Sequence, residues 1–560
     1  MIDVRVLLNS PCDTIIYMNE TQNKVVDARA GAAVGALAGT SANEQASPCD
    51  WEELVVLEPS DIARLVEKAI VHISCDLRQD YWTALEAAES TSPALEQLIS
   101  NAQIAASERV PLCQDTGYVW VLLEVGGDVL VPADIFREVN TTVALTYLRR
   151  GLRKSLVCDA LCDRSNTESN MPAFCEIKTV QSDKPFARLS VMLKGGGSDN
   201  ASRVVMLPPG AGLDGVSSEV LAAVREKGAN ACPPLVIGVG VGATFDKVAS
   251  LAKQTLLREI GSKNPVLELA KLEADLLNEI NELNIGPGGF GGQPTALVVH
   301  IHTEACHIAA LPVAINIGCS AMRSVSFDLL TEDSEGTGLL CSPLQKGTQK
   351  PRSLTQLNLP ATPKQLSSLK AGDEVALYGT IYTMRDAGHA RALEHLKQNG
   401  ELPFNLRGQA LFYAGPTEPM NDRPFGAIGP TTASRMDFAT PALLDAGITV
   451  TLGKGQRSQA VIDTCKKTGS IYLAATGGAA AYLAQFVTAS EPVAWEDLGT
   501  EALRKLTLEG LPAFVAIDAT GATLWDDVAD ITDAENDKNT KNTKPARNGK
   551  TTDVQDGDVQ

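Results

Sequence analysis

Cys113, Gln114 and Asp115 stand side by side in Arg109-Val-Pro-Leu-Cys-Gln-Asp-Thr-Gly117, just ahead of the strand-forming run Tyr118–Val125. A thiol, an amide and a carboxylate on a tight loop can bind or catalyse, because the buried strand behind them fixes where they point. A free core cysteine beside an Asp-Thr-Gly turn would read the same way. Two later cysteines repeat the setting. Cys232 precedes Pro233-Pro234 and the apolar run Leu235–Val239, and Cys319 lies in Ile317-Gly-Cys-Ser-Ala-Met-Arg323 with Arg323 four residues on.

Other segments suit anions. Lys194-Gly-Gly-Gly-Ser-Asp-Asn200 follows the strand-like Ala187–Leu193, and its glycines let backbone N–H groups approach a ligand as a nest does. Arg385-Asp-Ala-Gly-His389, Gly426–Asp437 and Gly453-Lys-Gly-Gln-Arg457 bring cations or hydroxyls to helix entries. Arg149, Arg150, Arg153 and Lys154 end a segment, 132–153, that reads as helix. Cys158 and Cys162 would share a helical face, but no second His or Cys pair completes a zinc set, so core thiols are the expectation. His300 and His302 fall on one strand face, where packing is the commoner role. Gly238-Val-Gly-Val-Gly-Ala243 nearly matches a dinucleotide fingerprint. The element after its helix is another helix, so a tight strand–helix turn explains it better.

The elements that must hold these residues follow from periodicity. Residues 1–50 read as a weakly structured arm. Ile62, Leu65, Val66, Ala69 and Ile70 form one helical face, and a second helical pattern covers 81–105. Helices are predicted over 216–227, 245–260 and 266–283, and a strand over 296–302. An N-terminal domain is thus expected over 51–326 and a linker over 327–352. A second domain, over 353–528, has a strand at 374–383 and a helix at 390–399. A polar, charged tail occupies 529–560.

The totals narrow the function class. At ~150 residues per domain, 560 residues allow about two to four domains. A net charge of −20 disfavours phosphate-backbone binding, so any anionic substrate must meet locally clustered Arg or Lys. The 12 cysteines include no Cys-x-x-Cys pair, and no export signal or long apolar span is read, which points to a reducing cytoplasm.

Taken together, Cys113-Gln-Asp-Thr-Gly, Lys194-Gly-Gly-Gly-Ser-Asp-Asn, Cys232-Pro-Pro, Arg385-Asp-Ala-Gly-His and Gly429-Pro-Thr-Thr-Ala-Ser-Arg-Met-Asp resemble the class I, iron–sulfur-dependent fumarate hydratases. That wider family includes L-tartrate dehydratase. The resemblance runs from about Trp51 to Asp527, like a fused pair of regions that some members keep as separate subunits. It implies a mixed α/β (α+β) fold: a larger cluster-binding domain, a smaller swivelling α/β domain, and an active site between them. It also implies a [4Fe–4S] cluster held by Cys113, Cys232 and Cys319. Three ligands leave one iron open as a Lewis acid. Thr431 takes the family's base position and Asp115 that of the acid. A threonine hydroxyl is a weak base that neighbouring cations must activate, and Thr431 would equally serve as a helix N-cap. Arg153, Arg385, Arg435 and Lys454 take the positions of carboxylate anchors, and Gln114, His307, Gly195 and Gly196 complete the pocket.

The resemblance therefore implies a cytoplasmic homodimer that interconverts L-malate and fumarate, with no nucleic-acid or membrane partner. The rival readings are a tartrate or other hydroxy-dicarboxylate dehydratase, a non-enzymatic cluster-bearing redox sensor, and a dinucleotide-binding protein.

Overall fold

In the computed structural model the description covers residues 16–17, 26–27, 55–88, 92–331 and 354–526. The expected tail lies outside this set, as does most of the expected arm and linker. In the first unit, Met1–Glu53, Ile16–Tyr17 pairs antiparallel with Val26–Asp27. The described residues from Val55 on belong to a second compact unit.

The strand Tyr118–Gly126 is central because its sequence is apolar on both faces. It runs antiparallel to Phe186–Lys194 and parallel to Phe174–Thr179, and Ser324–Asp328 completes a four-stranded sheet. Val119, Val121 and Leu123 pack against the helices Pro59–Ile73 and Val139–Arg149. Trp120 and Leu122 face a different core, with Tyr81, Trp82 and Met322. Burying both faces of one strand pins its register, and with it the Cys113 loop that feeds it.

A second four-stranded sheet has the order Ala296–Cys306, Leu235–Ala243, Leu311–Gly318, Arg203–Leu207. Here the expected turn at Gly238–Ala243 is corrected: the strand continues through it to Ala243. Gly238 and Gly240 lie inside the strand because the helix Phe245–Thr255 packs hard on them. A Cβ on Gly238 would sit 2.4 Å from the Ala252 carbonyl oxygen, and one on Gly240 would sit 2.8 Å from that of Val248. Close helix–sheet approach, not a cofactor, sets the spacing.

The strands after residue 354 join one seven-stranded sheet, ordered 355–359, 374–383, 410–412, 450–453, 471–474, 503–517, 487–494. Glu374–Thr383 also pairs with Leu503–Ile517, so the ladder curls back on itself around an apolar core that includes Leu377, Phe412, Leu452 and Leu473. Among the described residues no helix is long and apolar enough to cross a membrane.

Other boundaries differ for local reasons. The pattern over 81–105 is two helices, Gln79–Ala87 and Pro93–Glu108, because Pro93 starts a new one. The helix expected over 132–153 is confined to Val139–Arg149. Cys158 and Cys162 lie exposed on an irregular loop and share no helix, and Asp159 Oδ1 accepts the Leu161 N–H at 2.8 Å in place of helical bonding. The expected linker start at 327 falls inside the strand Ser324–Asp328. His300 is buried and His302 exposed, so the two do not pair.

Candidate active site

Strand ends deliver the three cysteines. Cys113 precedes the strand Tyr118–Gly126, Cys232 precedes Leu235–Ala243, and Cys319 follows Leu311–Gly318. All three line one cavity of about 440 Å³. Gln114, Asp115, Arg153, Gly195, Gly196, Arg385, Thr431, Arg435 and Lys454 line it too. The wall therefore draws on residues before 328 and after 354 alike.

His307 is the exception. It sits exposed in the turn between the strands Ala296–Cys306 and Leu311–Gly318, its Nδ1 accepting the Ala309 N–H at 3.1 Å. The turn carries it to the surface, and it does not line this cavity, where it was expected.

Asp115 is tied from three sides. Arg153 Nη2 lies 3.1 Å from Oδ1, the Gly117 N–H donates to Oδ1 at 3.2 Å, and the Gly196 N–H donates to Oδ2 at 2.9 Å. Burial alone would raise its pKa, but Arg153, Arg323, the Gly196 N–H and Arg385 together hold the carboxyl below its usual range. The glycine loop after Lys194 presents the Gly196 N–H to Asp115 and folds into a short turn of helix over Gly196–Asp199. Arg153 also donates to the Gly415 carbonyl at 3.0 Å, which joins the early and late parts of the chain at the cavity.

On the opposite wall Arg435 donates from Nη1 to Thr431 Oγ1 at 3.0 Å and from Nε to Asp386 Oδ1 at 3.0 Å. Thr431 does not cap a helix: the cap position of the following helical turn is Thr432, which makes no side-chain cap bond. Arg385 stands at the N-cap of the helix Asp386–Asn399, with Glu501 3.2 Å from its Nη2. Lys454, at the end of the strand Val450–Gly453, donates to Cys232 Sγ at 2.6 Å and to the Asn230 carbonyl at 3.1 Å. Burial would lower the Lys454 pKa, but the three thiols raise it, Cys232 most. Burial pushes the Cys113 thiol up to about 11, with Arg323 opposing.

Two glycines let the walls meet. A Cβ on Gly477 would lie 2.5 Å from Cys232 Sγ, and one on Gly429 would lie 2.5 Å from Gln114 Oε1. Any larger residue at either position would displace a sulfur or an amide that faces the cavity.

Among the described residues no three His, Cys, Asp or Glu side chains are grouped to hold a single metal ion. Three thiols around one cavity with buried cations behind them instead suit a larger group with several soft metal centres. Arg323 is the residue that sequence reasoning underused. It lines the same cavity, 2% exposed, and its only signal was its position four residues after Cys319.

Comparison with known proteins bears on this arrangement. Residues 61–328 match the family model described as fumarate hydratase (Fumerase), and residues 333–528 match the one described as Fumarase C-terminus. The anaerobic class I fumarate hydratase of Escherichia coli K12 is 30% identical over 86% of this chain and 92% of its own length. Fumarate hydratase 1, mitochondrial, of Leishmania major is 30% identical over 85% of this chain and 92% of its own length. A putative L(+)-tartrate dehydratase subunit alpha of Methanocaldococcus jannaschii is 35% identical, over 47% of this chain and 94% of its own length.

Proposed function

The chain belongs to the class I fumarate hydratase family, and on that premise we propose that it interconverts L-malate and fumarate, with a [4Fe–4S] cluster held by Cys113, Cys232 and Cys319. It is a hydro-lyase. The observation that carries the reading is the single cavity in which three thiols are lined up with Arg153, Arg385, Arg435 and Lys454, the Asp115 carboxylate and the Thr431 hydroxyl. When bound, a cluster with one iron free of protein supplies a Lewis acid that polarises a hydroxyl or carboxylate oxygen.

The chain's own residues do the rest. Arg153, Arg385, Arg435 and Lys454 approach the cavity from different directions. Planar guanidinium forks orient a dicarboxylate, and Lys454 adds a point charge beside Cys232. Asp115 is an anion in this arrangement. In the hydration direction it is therefore ready to take a proton from water, and by microscopic reversibility its acid form returns that proton to the departing hydroxide. Thr431 handles the proton on the neighbouring carbon. The Arg435 N–H on its oxygen stabilises negative charge there and so lowers the cost of deprotonating a weak acid. Residues 55–328 supply the thiols and Arg153, and residues 354–526 supply Thr431, Arg385, Arg435 and Lys454, so movement of the two regions as separate domains would gate entry.

The 35% identity to a putative tartrate dehydratase subunit favours a second reading, dehydration of tartrate. An anaerobic assay separates the two. With L-malate the purified protein should produce the ultraviolet absorbance of fumarate, at a higher kcat/KM than oxaloacetate release from tartrate. Oxaloacetate release without fumarate formation would reassign the substrate.

A further inference from the structure

Arg323 is 2% exposed, yet its Nε and Nη1 have no hydrogen-bond partner. The neighbouring cations each have an anionic, thiol or carbonyl partner, although Arg385 Nε is also left without one. Arg153 pairs with Asp115, Arg385 with Glu501, Arg435 with Asp386, and Lys454 with Cys232. Lys194 donates to the Ile317 carbonyl. Burying a guanidinium without an acceptor is strongly unfavourable. The wall is therefore built for an acceptor that arrives from the cavity.

Position indicates which acceptor. Arg323 follows Cys319 on the same loop, and its carbonyl accepts the Leu193 N–H at 3.0 Å, which fixes the backbone under the glycine turn. A Cβ on Gly195 would lie 3.6 Å from its Nη2, so the guanidinium sits beneath that turn. Arg323 lines the same cavity as Cys113 and Cys319, while Lys454 donates to Cys232. We propose that Arg323 is a positioning residue for the cluster: its free N–H groups donate to cluster sulfur from the loop that carries Cys319 and offset the cluster's negative charge, and it does not bind substrate. This rests on the reading that the three thiols hold a [4Fe–4S] cluster.

The test uses the full chain, reconstituted anaerobically with iron and sulfide, as wild type, Arg323→Gln and Arg323→Lys. The glutamine variant keeps hydrogen bonding and removes the charge. It should lose its visible absorbance to a chelator roughly 10–100-fold faster than wild type. Its reduction midpoint should shift negative, because the added electron loses a nearby cation. Its KM for malate, per occupied cluster, should stay at the wild-type value. The lysine variant should restore the midpoint. The proposal is overturned if Arg323→Gln keeps wild-type retention and potential, and an accompanying rise in KM would reassign Arg323 to the substrate. A wild-type chain that takes up no cluster would instead overturn the underlying reading, and it would do so before any variant is compared.

Discussion

Cys232→Ser should abolish the visible absorbance of the anaerobically reconstituted protein and lower malate turnover by at least ~10³-fold, the scale of several kcal/mol that a Lewis acid supplies. Serine nearly preserves the volume of cysteine, so the packing against Gly477 survives. Its hydroxyl is a hard donor that stays protonated near neutral pH, and soft iron–sulfur centres select thiolates. The site magnifies the loss. Cys232 is buried, has φ 59°, and carries the Lys454 ammonium 2.6 Å from its sulfur. With no thiolate there, that ammonium loses its counter-charge, so one wall of the cavity loses a ligand and a cation position together. The melting curve of the cluster-free variant should match that of the cluster-free wild type. Wild-type absorbance in the variant would remove Cys232 from the ligand set.

Thr431→Ala should lower kcat by ~10²–10⁴-fold, the usual worth of a positioned proton-transfer group, with little change in KM. The hydroxyl is lost together with the γ-methyl, and Thr431→Ser separates the two because it removes the methyl alone. Arg435 remains anchored on Asp386 and so still meets a carboxylate. Thr431→Ser keeps the oxygen that receives the Arg435 N–H and should stay within about tenfold of wild type. If alanine retained wild-type kcat, Thr431 would not be the base. If KM rose while kcat held, the hydroxyl would bind substrate and do no proton transfer.

Much of this site was legible because its residues lie next to strong local signals. The apolar run after Cys113 could only be a strand, and Glu374–Thr383 has the predicted bounds. A loop between a strand and a helix is a short link, so the cysteines and the glycine turn at Lys194 could be placed at strand ends from composition. Interactions between distant segments were not legible. The glycines at 238 and 240 read as a turn because only the packed helix Phe245–Thr255 reveals why a side chain is forbidden there. His307 has the right type and order for the pocket, but the turn that exposes it depends on how far the strands Ala296–Cys306 and Leu311–Gly318 extend on either side of Leu235–Ala243. Arg323 has no local motif. Its significance is its burial and its missing partners, and both are properties of the folded chain. The strand Thr355–Leu359 was missed because its partner, Glu374–Thr383, is joined to it in parallel through an intervening helix, and its own alternation is short.

In the proposed site three protein thiols hold a cluster with one corner left for the substrate. The most direct measurement is the Mössbauer spectrum of iron-57-enriched wild-type protein, prepared anaerobically, before and after addition of malate. The expected result is a change at a single iron site of the cluster while the others keep their signals. Signals that do not respond to malate at any iron, or iron that does not bind this chain at all, would contradict the account.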